Sequence, residues 1–165
     1  MADKSVSIRW DGGLRFDASS ELGGTVRISG DEGMAGLRPS ETLLVALGTC
    51  AGADVASILA KKRQPLEGYV IEVSAVQRAE HPRSFLEIDV LHLIEGEWVE
   101  AEAIRRSIEL SVTSYCPVTA QLSSGDVTIR HRYRLGAPGR PEIEVAQSGP
   151  HGRIVVFSSP PTTDA

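Results

Sequence analysis

The segment from Pro39 to about Arg63 sets the terms for everything else in this chain. Pro39-Ser40-Glu41 reads as a helix start, with Ser40 able to cap it and Glu41 favourable in the first turn. Leu43, Leu44, Leu47, Ala51, Val55, Ile58 and Leu59 then recur at intervals of three and four, the period of a helix. Lys61-Lys62-Arg63 places positive charge on the last turn, where the helix dipole favours it. The middle of the segment, Leu47-Gly-Thr-Cys-Ala-Gly-Ala53, carries almost no bulk and no charge, so another backbone can come close. A surface helix with one wet face does not look like this. The segment reads as a central helix packed on all sides, and a dimer that buries it is the simplest way to cover it.

Composition bounds the rest. At 165 residues the chain suits one domain, and 41% apolar against 24% charged residues supports a globular core. Lys+Arg of 17 against Asp+Glu of 22 leaves a net charge of −5, which argues against general nucleic-acid binding. The longest uncharged apolar run, Thr42 to Gly52, is too short to span a bilayer, so no membrane is expected. The opening Met-Ala-Asp-Lys-Ser lacks the apolar core of a signal peptide, which makes the cytoplasm the expected location.

Strands flank the helix. Ser5 to Trp10 and Leu14 to Ala18 alternate apolar and polar residues around the Asp11-Gly12-Gly13 turn, and Thr25 to Ser29 comes next as a third strand. Beyond Gln64-Pro65, Tyr69–Gln77 and Ser84–Ile94 form an expected hairpin around the turn at Glu80-His-Pro-Arg83. Trp98 to Tyr115 reads as a helix with Val99, Ala103, Ile104, Ile108 and Val112 on one stripe. Cys116-Pro117 opens a short helix to about Leu122. Asp126 to Arg134 alternates again, with Val127, Ile129, His131 and Tyr133 on one side. Its Arg130, His131, Arg132 and Arg134 make a basic strand that reads as a solvated edge. The fold class is therefore α+β in the order βββ-α-ββ-α-α-β. From Gly136 the composition shifts to Gly, Pro and polar residues, with short β-like pieces at Ile143–Val145 and Arg153–Phe157. Ser158 to Ala165 is expected to be disordered.

Two cysteines, Cys50 and Cys116, are too few for a disulfide scaffold or an all-cysteine zinc site. His81, His92, His131 and His151 show no metal-ligand spacing, so no metal is expected. His92, alternating with apolar neighbours, reads as a surface or edge-strand histidine rather than a ligand. Cys50 lies at the midpoint of the central helix, one turn before Asp54. An apolar wall beside it would raise its pKa, so activation calls for a nearby cation, with Arg15, Arg27 and Arg38 as candidates. Cys116 sits at a helix start, where free backbone N–H groups stabilise a thiolate.

Two motifs carry a family resemblance. Pro39-Ser-Glu-Thr-Leu-Leu-Val-Ala-Leu-Gly-Thr-Cys50-Ala-Gly-Ala-Asp-Val-Ala-Ser-Ile-Leu59 and the later Tyr115-Cys116-Pro117-Val118 resemble the OsmC/Ohr family of osmotically inducible and organic hydroperoxide resistance proteins. Cys50-x-x-x-Asp54-Val-x-Ser-Ile-Leu59 and the subsequent Lys61-Lys-Arg-Gln-Pro65 resemble its OsmC-like, YhfA-like branch. The similarity covers roughly residues 5 to 135, read as an OsmC-like domain over 1–135 with 136–165 as a partly disordered extension.

The resemblance implies an intertwined homodimer and a thiol peroxidase without cofactor or metal. In it Cys50 attacks a hydroperoxide to give a sulfenic acid and Cys116 resolves this to a disulfide. An external dithiol, in relatives often a lipoylated protein, restores the thiols. It also implies an Arg that activates the first thiol, for which Arg15 is chosen, and a Glu that orients it. In the family that Glu directly follows the proline; here Ser40 does, which turns Glu41 about 100° round the helix. Asp54 is the alternative carboxylate, though it would also repel a thiolate. The competing function is a non-catalytic dimer that binds an apolar small molecule or senses redox state through its thiols.

Overall fold

In the computed structural model the described residues are 4–33 and 35–158. The chain forms two compact units, Met1–Val45 and Ala46–Ala165. In the first, strands β1 (Val6–Trp10), β2 (Arg15–Ser20) and β3 (Thr25–Ser29) make an antiparallel meander. The register pairs Ile8 with Ala18, Trp10 with Phe16 and Phe16 with Ile28, which gathers the apolar side chains on one face. The other face is charged. Arg27 pairs with Asp11 and Asp17, Arg9 shares Asp17, and Arg15 meets Asp31.

Helix α1 (Pro39–Lys61) starts two residues earlier than a Ser40 cap would place it. The cap is Arg38, not Ser40. The Arg38 carbonyl accepts from the Thr42 N–H at 2.9 Å, and its own N–H donates to the Glu41 carboxylate at 2.8 Å. Pro39, with no N–H to satisfy, is suited to the first helical position. This leaves Ser40 inside the first turn. At the far end Arg63 takes a left-handed conformation, φ 54°. The Gln64 N–H reaches the Leu59 carbonyl at 3.0 Å and the Arg63 N–H reaches that of Ala60 at 2.9 Å, which closes the helix two residues before Arg63.

The second unit is built on a mixed sheet in the order β4-β5-β6-β7-β8. Its strands are β4 (Gly68–Gln77), β5 (Phe85–Glu95), β6 (Thr128–Leu135), β7 (Ile143–Ser148) and β8 (Ile154–Val156). β4 and β5 form the expected hairpin, whereas β5 and β6 run parallel. A parallel pair needs a crossover. This one carries α2 (Ala101–Leu110), a π-helical turn (Ser111–Tyr115) and α3 (Pro117–Ser123). The single helix expected from Trp98 is thus shorter at both ends. Trp98 is exposed, Glu100 caps α2, and the i→i+5 bond from Cys116 N–H to Ser111 carbonyl marks the π turn. The two β-like pieces after Gly136 become β7 and β8, with β7 paired to β6 and β8 to β7. Of the stretch expected to be disordered, all but Ser158 lies outside the described residues.

β6 is therefore an interior strand, not an edge. Its arginines stand on the outer face, where Arg130 pairs with Glu87 and Arg132 forks to Asp89 and Glu142. Its alternate residues face inward, and the inner face joins α1 and α2 in the core. That core contains Val55, Leu59, Ile94, Ile104, Ile108, Val112, Tyr133 and Val145. By length and composition α1 could cross a membrane, since an 18-residue window has mean hydropathy 1.9. The apolar stretch is longer than the uncharged run Thr42–Gly52, because single charged residues do not end it. What marks α1 as a core helix is that Leu47, Ala51, Val55 and Leu59 have no exposed surface at all.

The small residues of α1 do what their size permits. A Cβ added at Gly52 would lie 2.1 Å from Ile71 Cδ1, and one at Gly48 would lie 2.8 Å from Val73 Cγ2. The helix backbone thus lies directly on the β4 side chains. Gly52→Leu should lower stability by about 1–3 kcal/mol despite leucine's better helix propensity. Urea denaturation would check this, and an unchanged midpoint would mean the close approach is not needed.

His92 and His131 correct another expectation. Both are wholly buried at the centre of the sheet, on the same face as Val90, Ile94, Ile129 and Tyr133. Burial pushes both imidazoles down, His131 to about 4, so they are neutral in the folded chain. Unfolded histidines take up protons below about pH 6.5. The unfolded state therefore binds more protons below that value, and stability should fall as pH drops from about 6.5 towards 4. For His131 alone the loss is on the order of 3 kcal/mol, readable as a falling urea midpoint across that window.

Candidate functional site

The two thiols converge in the second unit. Cys50 lies on α1 away from the Gly48–Gly52 face and is half-buried. Cys116, at the junction of the π turn and α3, is buried, and both are free thiols. The geometry of that junction is local. Cys116 is extended at φ −78° and ψ 100°, which makes it the cap of α3, with Pro117 next at the first helical position. Its sulfur accepts from the Thr119 N–H at 3.3 Å. The neighbouring amide, that of Val118, and the Cys116 thiol both act on the Cys50 sulfur, so the two thiols are neighbours. One helix start therefore serves both sulfurs.

Electrostatics at Cys50 run against a thiolate. Burial first, then the Cys116 thiol, push Cys50 up to about 11; the Val118 amide pulls the other way, and the charge of Asp54 adds to the rise. Among the described residues, none of the groups that set it is a cation. Asp54 is itself fixed, accepting from the Ser111 hydroxyl of the π turn at 2.8 Å. Beside it a cleft of about 400 Å³ is lined by Asp54, Ser57, Ile58, Lys61, Lys62, Leu110 and Tyr115.

Of the residues chosen from sequence, the structure brings together Cys50, Cys116 and Asp54. Arg15 and Glu41 belong to the first unit and are engaged there. The Arg15 guanidinium reaches Asp31 at 3.0 Å and the Asp11 carbonyl at 3.1 Å. Glu41 caps its own helix through the Arg38 N–H. Arg27 is held by Asp11 and Asp17. Sequence reasoning anticipates free amides at the Cys116 helix start, here those of Val118 and Thr119, and misses the hydroxyl of Ser111. The amides are implied by a cysteine cap before proline. Ser111 carries no signal, because its aim depends on the π turn. Among the described residues, no cluster of His, Cys, Asp and Glu could hold a metal ion.

Asp54→Asn keeps an acceptor for Ser111 and removes the charge. It should lower the Cys50 pKa and raise its alkylation rate at pH 8 by about twofold. Iodoacetamide kinetics in a Cys116→Ser background would show this; a slower rate would mean that Asp54 assists the thiol.

Comparison with known proteins converges on one family. The OsmC family, described as OsmC-like protein, matches residues 30–132. Protein YhfA of Escherichia coli K12 is 32% identical over 130 residues, covering 79% of this chain and 96% of that protein. The crystal structure of a hypothetical protein from Aquifex aeolicus VF5 superposes with a TM-score of 0.70 at 30% identity, over 83% of this chain and all of that one. The organic hydroperoxide resistance protein OhrB of Bacillus subtilis shares the fold alone, with a TM-score of 0.54 at 16% identity over 81% of this chain and 98% of its own.

Proposed function

Because this chain belongs to the OsmC-like protein family, we propose that it is a thiol-dependent peroxidase of organic hydroperoxides, fatty-acid hydroperoxides among them. The observation that carries this reading is that the Cys50 and Cys116 thiols are neighbours at the start of α3, close enough to act on each other. The Cys50 thiolate attacks the outer peroxide oxygen. The O–O bond breaks, the alcohol leaves with a proton, and the sulfur, oxidised by two electrons, becomes a sulfenic acid. Cys116, already in contact, attacks that sulfur; a disulfide forms and water leaves. An external dithiol, such as a lipoylated protein, then reduces the disulfide and is itself oxidised to one.

The proposed roles are Cys50 as nucleophile and Cys116 as resolving thiol. Arg15 is the activating cation, and Glu41 or Asp54 the carboxylate that orients it. The assembly is a homodimer. Its support is apolar surface in need of a cover: Val6, Ile8 and Trp10 on one face of β1, and Leu43 and Val45 on α1, are all exposed. Two free thiols suit a reducing cytoplasm. Turnover of tert-butyl hydroperoxide with a dithiol should exceed that of hydrogen peroxide and disappear in Cys50→Ser. Cys116→Ser should still form one sulfenic acid per chain without completing the intramolecular disulfide. No turnover above the Cys50→Ser background would sink the reading.

The elevated Cys50 pKa favours a second reading, a non-catalytic dimer that binds an apolar small molecule or senses redox state. The pH profile of Cys50 alkylation in the assembled protein separates the two. A midpoint well below about 9 means a cation reaches the thiol and supports the peroxidase. A midpoint near 11 supports the alternative.

A further inference from the structure

A file of three rings runs through the interior of the second unit. The Tyr69 hydroxyl lies 2.6 Å from His92 Nδ1, and His92 Nε2 lies 3.3 Å from His131 Nδ1. The rings are stacked, with centroids 6.0 Å and 5.7 Å apart. Two neutral histidines in series can be oriented in two ways. Either Tyr69 donates into the file and His131 Nε2 ends it as a donor, or the tautomers are reversed and Nε2 ends it as an acceptor. In both cases His131 Nε2 needs a partner, and it has none among the described residues.

Two further buried atoms share that condition, Ser148 Oγ and Thr119 Oγ1. All three residues are at least 99% buried. Their positions are related by the topology. Ser148 is opposite Ile129 across the β6–β7 register and His131 is two residues further along β6, so Ser148 and His131 share the inner face as diagonal neighbours. α3, which carries Thr119 on its buried side, packs on the same two strands. Arg134 Nε, also unpartnered among the described residues, belongs to the outer-face phase of β6. A buried water makes about three hydrogen bonds and both donates and accepts. It therefore suits two hydroxyls and an imidazole nitrogen whatever the tautomer. Thr119 is also the residue whose backbone N–H holds the Cys116 sulfur.

We propose that an internal water site joins Thr119 Oγ1, Ser148 Oγ and His131 Nε2, anchoring the first turn of α3 to the Tyr69–His92–His131 file and making these residues positioning residues for Cys116. The site itself stands without the peroxidase reading; the consequence for a resolving thiol rests on it.

The test uses the full chain with 15N-labelled histidine and long-range 1H–15N correlation spectra. Thr119→Val and Ser148→Ala should each shift the His131 Nε2 resonance beyond its linewidth, whereas Thr119→Ser, which keeps the hydroxyl, should leave it in place. In a Cys50→Ser background, Thr119→Val should also change Cys116 alkylation severalfold, with Thr119→Ser restoring the original rate. An unmoved Nε2 in both Thr119→Val and Ser148→Ala overturns the site. If Thr119→Val does not fold, Ser148→Ala decides alone. A moved Nε2 with an unchanged Cys116 rate overturns the positioning role. None of these readouts requires peroxide turnover, so a protein inactive towards peroxides that still shows the shifts fails the functional reading and keeps this one.

Discussion

The close approach of α1 to β4 is the constraint on which the second unit depends. Gly48 and Gly52 let the helix backbone lie against Val73 and Ile71 with no room for a Cβ. With that face turned to the sheet, helical geometry sends Cys50 and Asp54 to the flank, half a turn or so away. The flank is where the crossover from β5 to β6 passes. The thiol's place is thus set by two glycines it does not touch.

The crossover supplies the other half. A parallel β5–β6 pair obliges the chain to travel back along the sheet, and it does so through α2, the π turn and α3. The extra residue of a π turn shifts the helical phase of the residues after it. Here it aims the Ser111 hydroxyl at Asp54 and leaves Cys116 as a cap, facing α1 with two free amides beside it. Among the described residues no cation is among the groups that set Cys50, so packing brings the thiols together and does not by itself ionise them.

Much of this is legible in the sequence because it is local or periodic. The helix period of Leu43 to Leu59, the alternation of Tyr69–Gln77 and the Cys116-Pro117 start all rest on nearest-neighbour physics, and so does the pairing of the two cysteine motifs once the family is seen. His92 misleads although its phase is on display: it falls in step with Ile88, Val90 and Ile94, all buried. An expectation from polarity overrides the period there. The arginines of β6 mislead for a related reason. Charge on alternate residues marks one wet face, which an interior strand of a mixed sheet has as readily as an edge. The parallel partner, the π turn and the Arg38 cap depend on tertiary context or on side-chain reach, and no short window contains them. The partners of Arg15 and Glu41 are likewise set by turns and caps invisible to periodicity.

The two strands after Gly136 have a further meaning. β7 and β8 lie beyond the stretch shared with the family, which ends at residue 132. They occupy the side of β6 that would otherwise carry unpaired amides and carbonyls, and they finish in a strand of three residues. At the opposite border β4 presents ten. A sheet bounded this way is directional. Among the described residues, the β8 border offers three residues for strand pairing and the β4 border ten, so the sheet has far more backbone to pair with on one side than on the other.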